Sequence, residues 1–201
     1  MTISPAKINY KIYQGSTFKE TFRWESQTKG YINITNISKA APCVITTSTT
    51  HSIPVGWRFR ITDVVGMNQI NQAGEDNFYI ASSTTNNTIT INSLNSTNFT
   101  NYSSGGIISY NLPVPLVGFT GILQIRETLS NSTVLHQLTS AVNGGMIINT
   151  TDNFISITIP AVTTAQFNFT SAVYGIELTS SAGEVFPLIT GNITLIKEIV
   201  R

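Results

Sequence analysis

Along most of the chain, apolar residues recur at every second position, the spacing of strands that bury one face. The clearest case is the hairpin between Ala172 and Ile196. Tyr174, Ile176 and Leu178 alternate with Gly175, Glu177 and Thr179. Ser180-Ser181-Ala182-Gly183 then forms a turn cluster, whose glycine is free to take positive φ. The return run carries Val185, Phe186, Leu188 and Ile189, then Gly191, then Ile193 and Leu195. A glycine inside a strand marks a bulge or a close backbone approach. Each large apolar side chain buried here would contribute about 1.5–3 kcal/mol, so this hairpin is the expected centre of a sheet core.

Upstream, Ile8, Tyr10 and Ile12 mark a strand, Gln14-Gly15-Ser16 turns it, and Phe18, Phe22 and Trp24 mark a second strand. Gln27–Gly30 is expected to be loop, and Ile32, Ile34 and Ile37 open another extended piece. Short strands follow at Cys43–Thr46, Trp57–Thr62, Phe78–Ile80, Thr88–Ile91 and Ile107–Tyr110. Such spacing predicts a small barrel. Leu112-Pro-Val-Pro115 reads as a semi-rigid joint. Strands are expected again at Gly121–Glu127, Thr133–Leu138, Met146–Ile148 and Phe154–Ile159, with one helical turn over Pro160–Gln166. No longer stretch carries an amphipathic 3.6-residue period.

Residues 1–37 offer too few strands for a stable unit of their own, whereas residues 113–201 offer enough to accept them. The pattern therefore predicts an all-β chain. Residues 1–37 and 113–201 form a discontinuous antiparallel, Ig-like β-sandwich, and 38–112 form a small β-barrel domain inserted into it. The ends of such an insert must lie close in space.

Charge changes the picture more than hydropathy does. Charged residues make up 10% of the chain, against roughly 25% in typical soluble proteins. The surface is therefore solvated mainly by Asn, Thr, Ser and Gln, and little repulsion keeps copies apart, which suits a protein of an assembly. A formal net charge of +1 makes no case for nucleic acid, whose binders carry dense basic patches. No apolar run is long enough for a membrane helix. The opening MTISPAKINYKIYQG lacks the apolar core of a secretory signal, so synthesis in a cytoplasm is expected. The N-x-S/T triplets at Asn33, Asn36, Asn95, Asn98 and Asn131 then follow from Asn/Thr-rich composition rather than glycosylation.

Nucleophilic and metal sites need clustered His, Cys, Asp or Glu. Only His51, His136 and Cys43 are available besides scattered carboxylates, so no catalytic residue, metal ligand or cofactor is assigned. His51 is expected to close a turn, His136 to make a cross-strand contact, and Cys43 to be a small buried residue. Glu75-Asp76 is expected to be solvated loop charge. Arg23, Arg58, Arg60 and Arg126 alternate against apolar faces. This places them outward on strands, where an assembly interface would pair them with a neighbour's acids.

QGSTFKETFRW near the start, GFTGILQIRE in the middle and AVYGIEL…GEVFPLITGNITLIKEIVR at the end resemble a family of small bacteriophage and prophage structural proteins. The matching residues are Gln14-Gly15-Ser16-Thr17-Phe18, Gln124-Ile125-Arg126, Val173-Tyr174, Glu177-Leu178, Gly183, Gly191 and Val200-Arg201. Gly175 stands where that family usually has Asp. The inserted part is similar to a β-barrel repeat of phage tail proteins that itself resembles a half-domain of ubiquitin-activating enzymes. Its matches are Thr50-His51, Gly56, Gly66-Met67, Ile70-Asn71, Phe99, Tyr102, Gly105 and Gly106. Together these resemblances imply a virion component.

The expected function is therefore a non-enzymatic structural protein of a phage particle, in the tail, baseplate or neck or decorating the head. Its partners would be other virion proteins and copies of itself. The expected contact element is the C-terminal strand, through Ile193, Leu195, Lys197, Glu198 and Arg201. A β-sandwich edge of this kind can add a neighbour's strand. The alternative is a carbohydrate- or receptor-binding module that meets a host-surface glycan through exposed Tyr79 and Tyr102.

Overall fold

A computed structural model of the chain describes residues 4–199. Strands hold 51% of the residues and helix 4%, so the chain is all-β as its alternation predicts. It opens with β1 (Ala6–Lys7), β2 (Tyr10–Tyr13) and β3 (Phe18–Phe22). Then come β4 (Glu25–Ile37), β5 (Cys43–Thr47), β6 (Arg58–Val65), β7 (Tyr79–Ile80), β8 (Ser83–Thr84), β9 (Thr88–Ile91) and β10 (Ser104–Pro113). The last six strands are β11 (Thr120–Arg126), β12 (Val134–Thr139), β13 (Met146–Asn149), β14 (Phe154–Ile159), β15 (Ser171–Thr179) and β16 (Val185–Ile196). One helical turn, Ala161–Thr164, falls where Pro160 starts it.

The chain divides into two compact units. One joins the residues up to Trp24 with those from Pro115 onward, and the other runs from Glu25 to Val114. In the first, one sheet is ordered β1-β16-β15-β11-β12 with β2 also on β16, and the other is ordered β13-β14-β3. Their inner faces share one core, including Leu123, Ile125, Ile155, Ile157, Ile176, Leu178 and Ile193. Neighbours β11-β15-β16 and β13-β14-β3 follow the Ig sandwich pattern. The sandwich is not purely antiparallel, however. β1 and β2 both run parallel to β16, with Ala6 opposite Ile189 and Ile12 opposite Leu195.

The second unit is one seven-stranded sheet, β7-β6-β10-β4-β5-β9-β8. Its two terminal strands are separated in sequence only by Ala81 and Ser82. The Ala81 amide donates to Trp57 O at 2.9 Å, and the Ser82 amide donates to Thr90 O at 2.8 Å. These bonds bring the two ends of the sheet together, so it curls around a core that includes Trp57, Phe59, Ile61, Ile89 and Ile108, none with exposed surface.

The boundary differs from the expected one. β4, assigned to the sandwich from residues 1–37, pairs with β10 and β5 and belongs to the curled sheet. Gln27–Gly30 is therefore strand rather than loop, because pairing with β10 (Gly30 opposite Tyr110, Lys29 opposite Asn111) overrides its polar composition. Glu25 lies opposite Pro113, so this unit starts and finishes on adjacent strands. The Glu25 carboxylate accepts hydrogen bonds from Arg58 Nε and Nη2 at 2.8 Å and from Asn111 Nδ2 at 2.9 Å. Three strands are thereby tied at that point.

Because the ends of the insert are already paired, it acts on the sandwich as a short loop. Replacing residues 25–114 with a short Gly/Ser link should leave a cooperatively folded sandwich by circular dichroism and thermal melting. Removing only 38–112 should aggregate, because β4 would lose both neighbours. Equal behaviour of the two deletions would contradict this boundary.

Candidate interaction surface

All but one of the residues expected to make contacts have a defined place. Ile193 and Leu195 are 2% and 4% exposed and lie in the sandwich core. β16 has β15 on one side and β1 and β2 on the other, so the C-terminal strand is not a free edge. Short parallel strands near the other end of the chain cover it, a long-range pairing that alternation within β16 does not encode. Lys197 and Glu198 are exposed beyond the strand, and the Glu198 amide donates to Gln14 Oε1 at 3.4 Å. Arg201 lies outside the described residues.

Tyr79 and Tyr102 are half-buried against the curled-sheet core rather than displayed. The Tyr79 hydroxyl donates to Ile70 O at 3.2 Å, and its ring lies 6.1 Å from that of Phe59. The Tyr102 hydroxyl reaches Gly105 O at 2.9 Å and Ile34 O at 3.1 Å. Both rings fasten the curled sheet. Arg58, expected to meet a neighbour's acid, meets Glu25 of its own chain.

The histidines and the cysteine have local roles. His51 Nδ1 accepts from the Ile53 amide at 3.3 Å, and its Nε2 lies 3.2 Å from Thr88 O, closing its turn. His136 sits opposite Ile125 and stacks edge-on against Phe167. Burial lowers its pKa and Nε2 has no hydrogen-bond partner, so the ring is neutral near pH 7. Burial pushes the Cys43 thiol up, and its side chain has no exposed surface. Among the described residues, no three His, Cys, Asp or Glu side chains come together as a metal site would require. Among them, too, no helix is long and apolar enough to cross a membrane.

What the fold does build is a recess of about 640 Å³ on the outer face of the six-stranded sheet. Alternation on β11 turns Ile122, Gln124 and Arg126 outward, and alternation on β15 turns out Val173, Gly175 and Glu177. The two strands pair so that Arg126 is opposite Val173, Gln124 opposite Gly175 and Ile122 opposite Glu177. Gly175 leaves the floor bare, since a Cβ there would meet no atom within 4 Å. Leu129, 91% exposed, stands at the rim.

The Arg126 charge in this recess is held without being neutralised. Arg126 Nη2 donates to Gln124 Oε1 at 2.8 Å and Nη1 to Asn131 O at 3.2 Å. Gln124 is fixed in turn by Gln137, Nε2 to Oε1 at 2.9 Å. Both partners of the guanidinium are neutral, and three of its five donors remain available. Among the described residues, Arg126 and Glu177 form no ion pair. The chemistry offered is recognition: an oriented cation, a separate anion and half-buried aliphatic side chains around exposed backbone.

No family model fits the chain, and no curated protein matches it. The sequence pattern already turns Arg126 and Glu177 outward, and Gly175 is conspicuous on its strand. Their meeting in one recess depends on β11 pairing with β15, strands far apart in sequence.

The buried position of β16 has a direct consequence. Leu195→Ala should lower stability by about 2–5 kcal/mol in urea denaturation, as a core truncation does. Lys197→Ala, two residues on and exposed, should change it by less than about 0.5 kcal/mol. A neutral Leu195→Ala would show that the strand is peripheral after all.

Proposed function

We propose that this protein is a non-enzymatic structural component of a bacteriophage particle, made in the bacterial cytoplasm and built into the tail, baseplate or neck or onto the head. It acts by binding other proteins of the particle. The observation that carries this reading is the outer-face recess, where Arg126 and Glu177 stand apart and unpaired around a bare glycine. Such a surface recognises a partner by shape and charge. The 10% charge content supports dense packing among neighbours, and the nested motifs resemble those of phage structural and tail proteins. The hydroxyls of Tyr79 and Tyr102, on which glycan binding would depend, are engaged by backbone carbonyls of their own unit.

Mass spectrometry of purified particles from a bacterium carrying the gene tests the proposal. The protein should be present at a fixed copy number, and particles made without the gene should lack a defined part or fail to assemble. Absence from particles, with unchanged assembly after deletion, would overturn it.

A further inference from the structure

We infer that the outer face of the six-stranded sheet binds the same face of a second copy of this chain, through a two-fold axis at the Gln124–Gly175 row. The inference rests on the assembly role proposed above and names one partner and the surface that meets it. Arg126 lies one row-pair to one side of Gly175, and Glu177 lies the same distance to the other. Their separation is four residues of strand, about 13 Å. A two-fold axis lying between two such faces, and crossing the strands near Gly175, reverses strand direction. Arg126 of each copy then stands over Glu177 of the other. The surface is thus self-complementary, as an isologous interface must be.

The rest of the face agrees. At the axis, where two copies approach most closely, the residue is glycine and its Cβ direction is open. Ile122 and Val173 flank it and are half-buried within one copy, so a second copy would complete their burial. Arg126 is already oriented by Gln124 and Asn131, so little ordering cost is left for binding. Lys7 is the other charge in the recess. It lies on the edge strand β1, where sheet twist separates two facing sheets. Five strands spaced by about 4.8 Å and about 20 Å long give a face of roughly 500 Å². That is below the roughly 800 Å² per partner of a standard interface. The dimer of the free protein is therefore weak, and the particle strengthens it through high local concentration.

Sedimentation equilibrium of the full chain, from micromolar to millimolar concentration, provides the test. The unaltered chain should pass from monomer to dimer. Arg126→Glu alone and Glu177→Arg alone each bring like charges together twice and should stay monomeric over the same range. An equimolar mixture of these two variants restores both opposite-charge pairs and should dimerise. Gly175→Trp should remain monomeric while keeping the native circular dichroism spectrum, since the fold has room at that Cβ.

An unaltered chain that stays monomeric at the highest concentration would overturn the inference, as would charge variants that dimerise normally or a mixture that fails to recover. If the unaltered chain is monomeric but the groove variants are excluded from particles, the occupant is a different protein and the second-copy inference is wrong while the assembly role stands. A chain that dimerises as described but is absent from particles would remove the assembly role and leave the interface.

Discussion

A side chain at position 191 would collide with the carbonyl oxygen of Ile8, and the way the sandwich is tied depends on that contact. Gly191 lets the opening of the chain lie against β16, where the Ile8 amide donates to Thr190 O at 2.9 Å. The Tyr174 hydroxyl, one strand away, donates to Ile8 O at 2.9 Å. Two short parallel strands thereby cover the edge of the C-terminal hairpin and convert it from a potential docking edge into the interior of a sheet. With this edge covered, the hairpin no longer offers unpaired backbone groups for strand addition there.

The inserted unit is held by an equally local device. Glu25 and Pro113 pair at its boundary, and the Glu25 carboxylate gathers Arg58 and Asn111. This partly buried, bidentate arrangement is more than an ordinary surface ion pair, because it joins three strands where the insert starts and finishes. In a chain with so few charges, a carboxylate–guanidinium pair falls at that junction. A closed junction lets the sheet curl and complete its own core without strands from the sandwich.

Much of this was legible in the sequence, for a physical reason. Period-two burial is local, so the strands containing Ile155, Ile157 and Ile159 or Tyr174, Ile176 and Leu178 could be read directly, and so could the nesting of one unit in the other. Pairing is not local. The polar stretch Gln27–Gly30 carries no strand signal of its own and is extended because β10 lies beside it. The covering of β16 by β1 and β2, which closes its backbone edge, is likewise invisible within β16. Aromatic residues in short strands suit a binding face as well as a core, so local pattern does not decide the place of Tyr79 and Tyr102. Their hydroxyls find backbone carbonyls only once the sheet curls. The recess was half legible, since alternation gives the outward direction of Arg126 and Glu177 but not their shared face.

Site-directed cross-linking decides whether this face, with its axis near Gly175, is where two copies of the chain meet. In a Gly175→Cys variant, two thiols would face each other across the roughly 10 Å that separates packed sheets, within reach of a short bis-maleimide. The native Cys43 has no exposed surface and stays silent. Gly175→Cys should give a covalent dimer at concentrations where a cysteine in place of Val142, 93% exposed on another part of the sandwich, gives none. Equal cross-linking of the two variants, or none from Gly175→Cys, would contradict it.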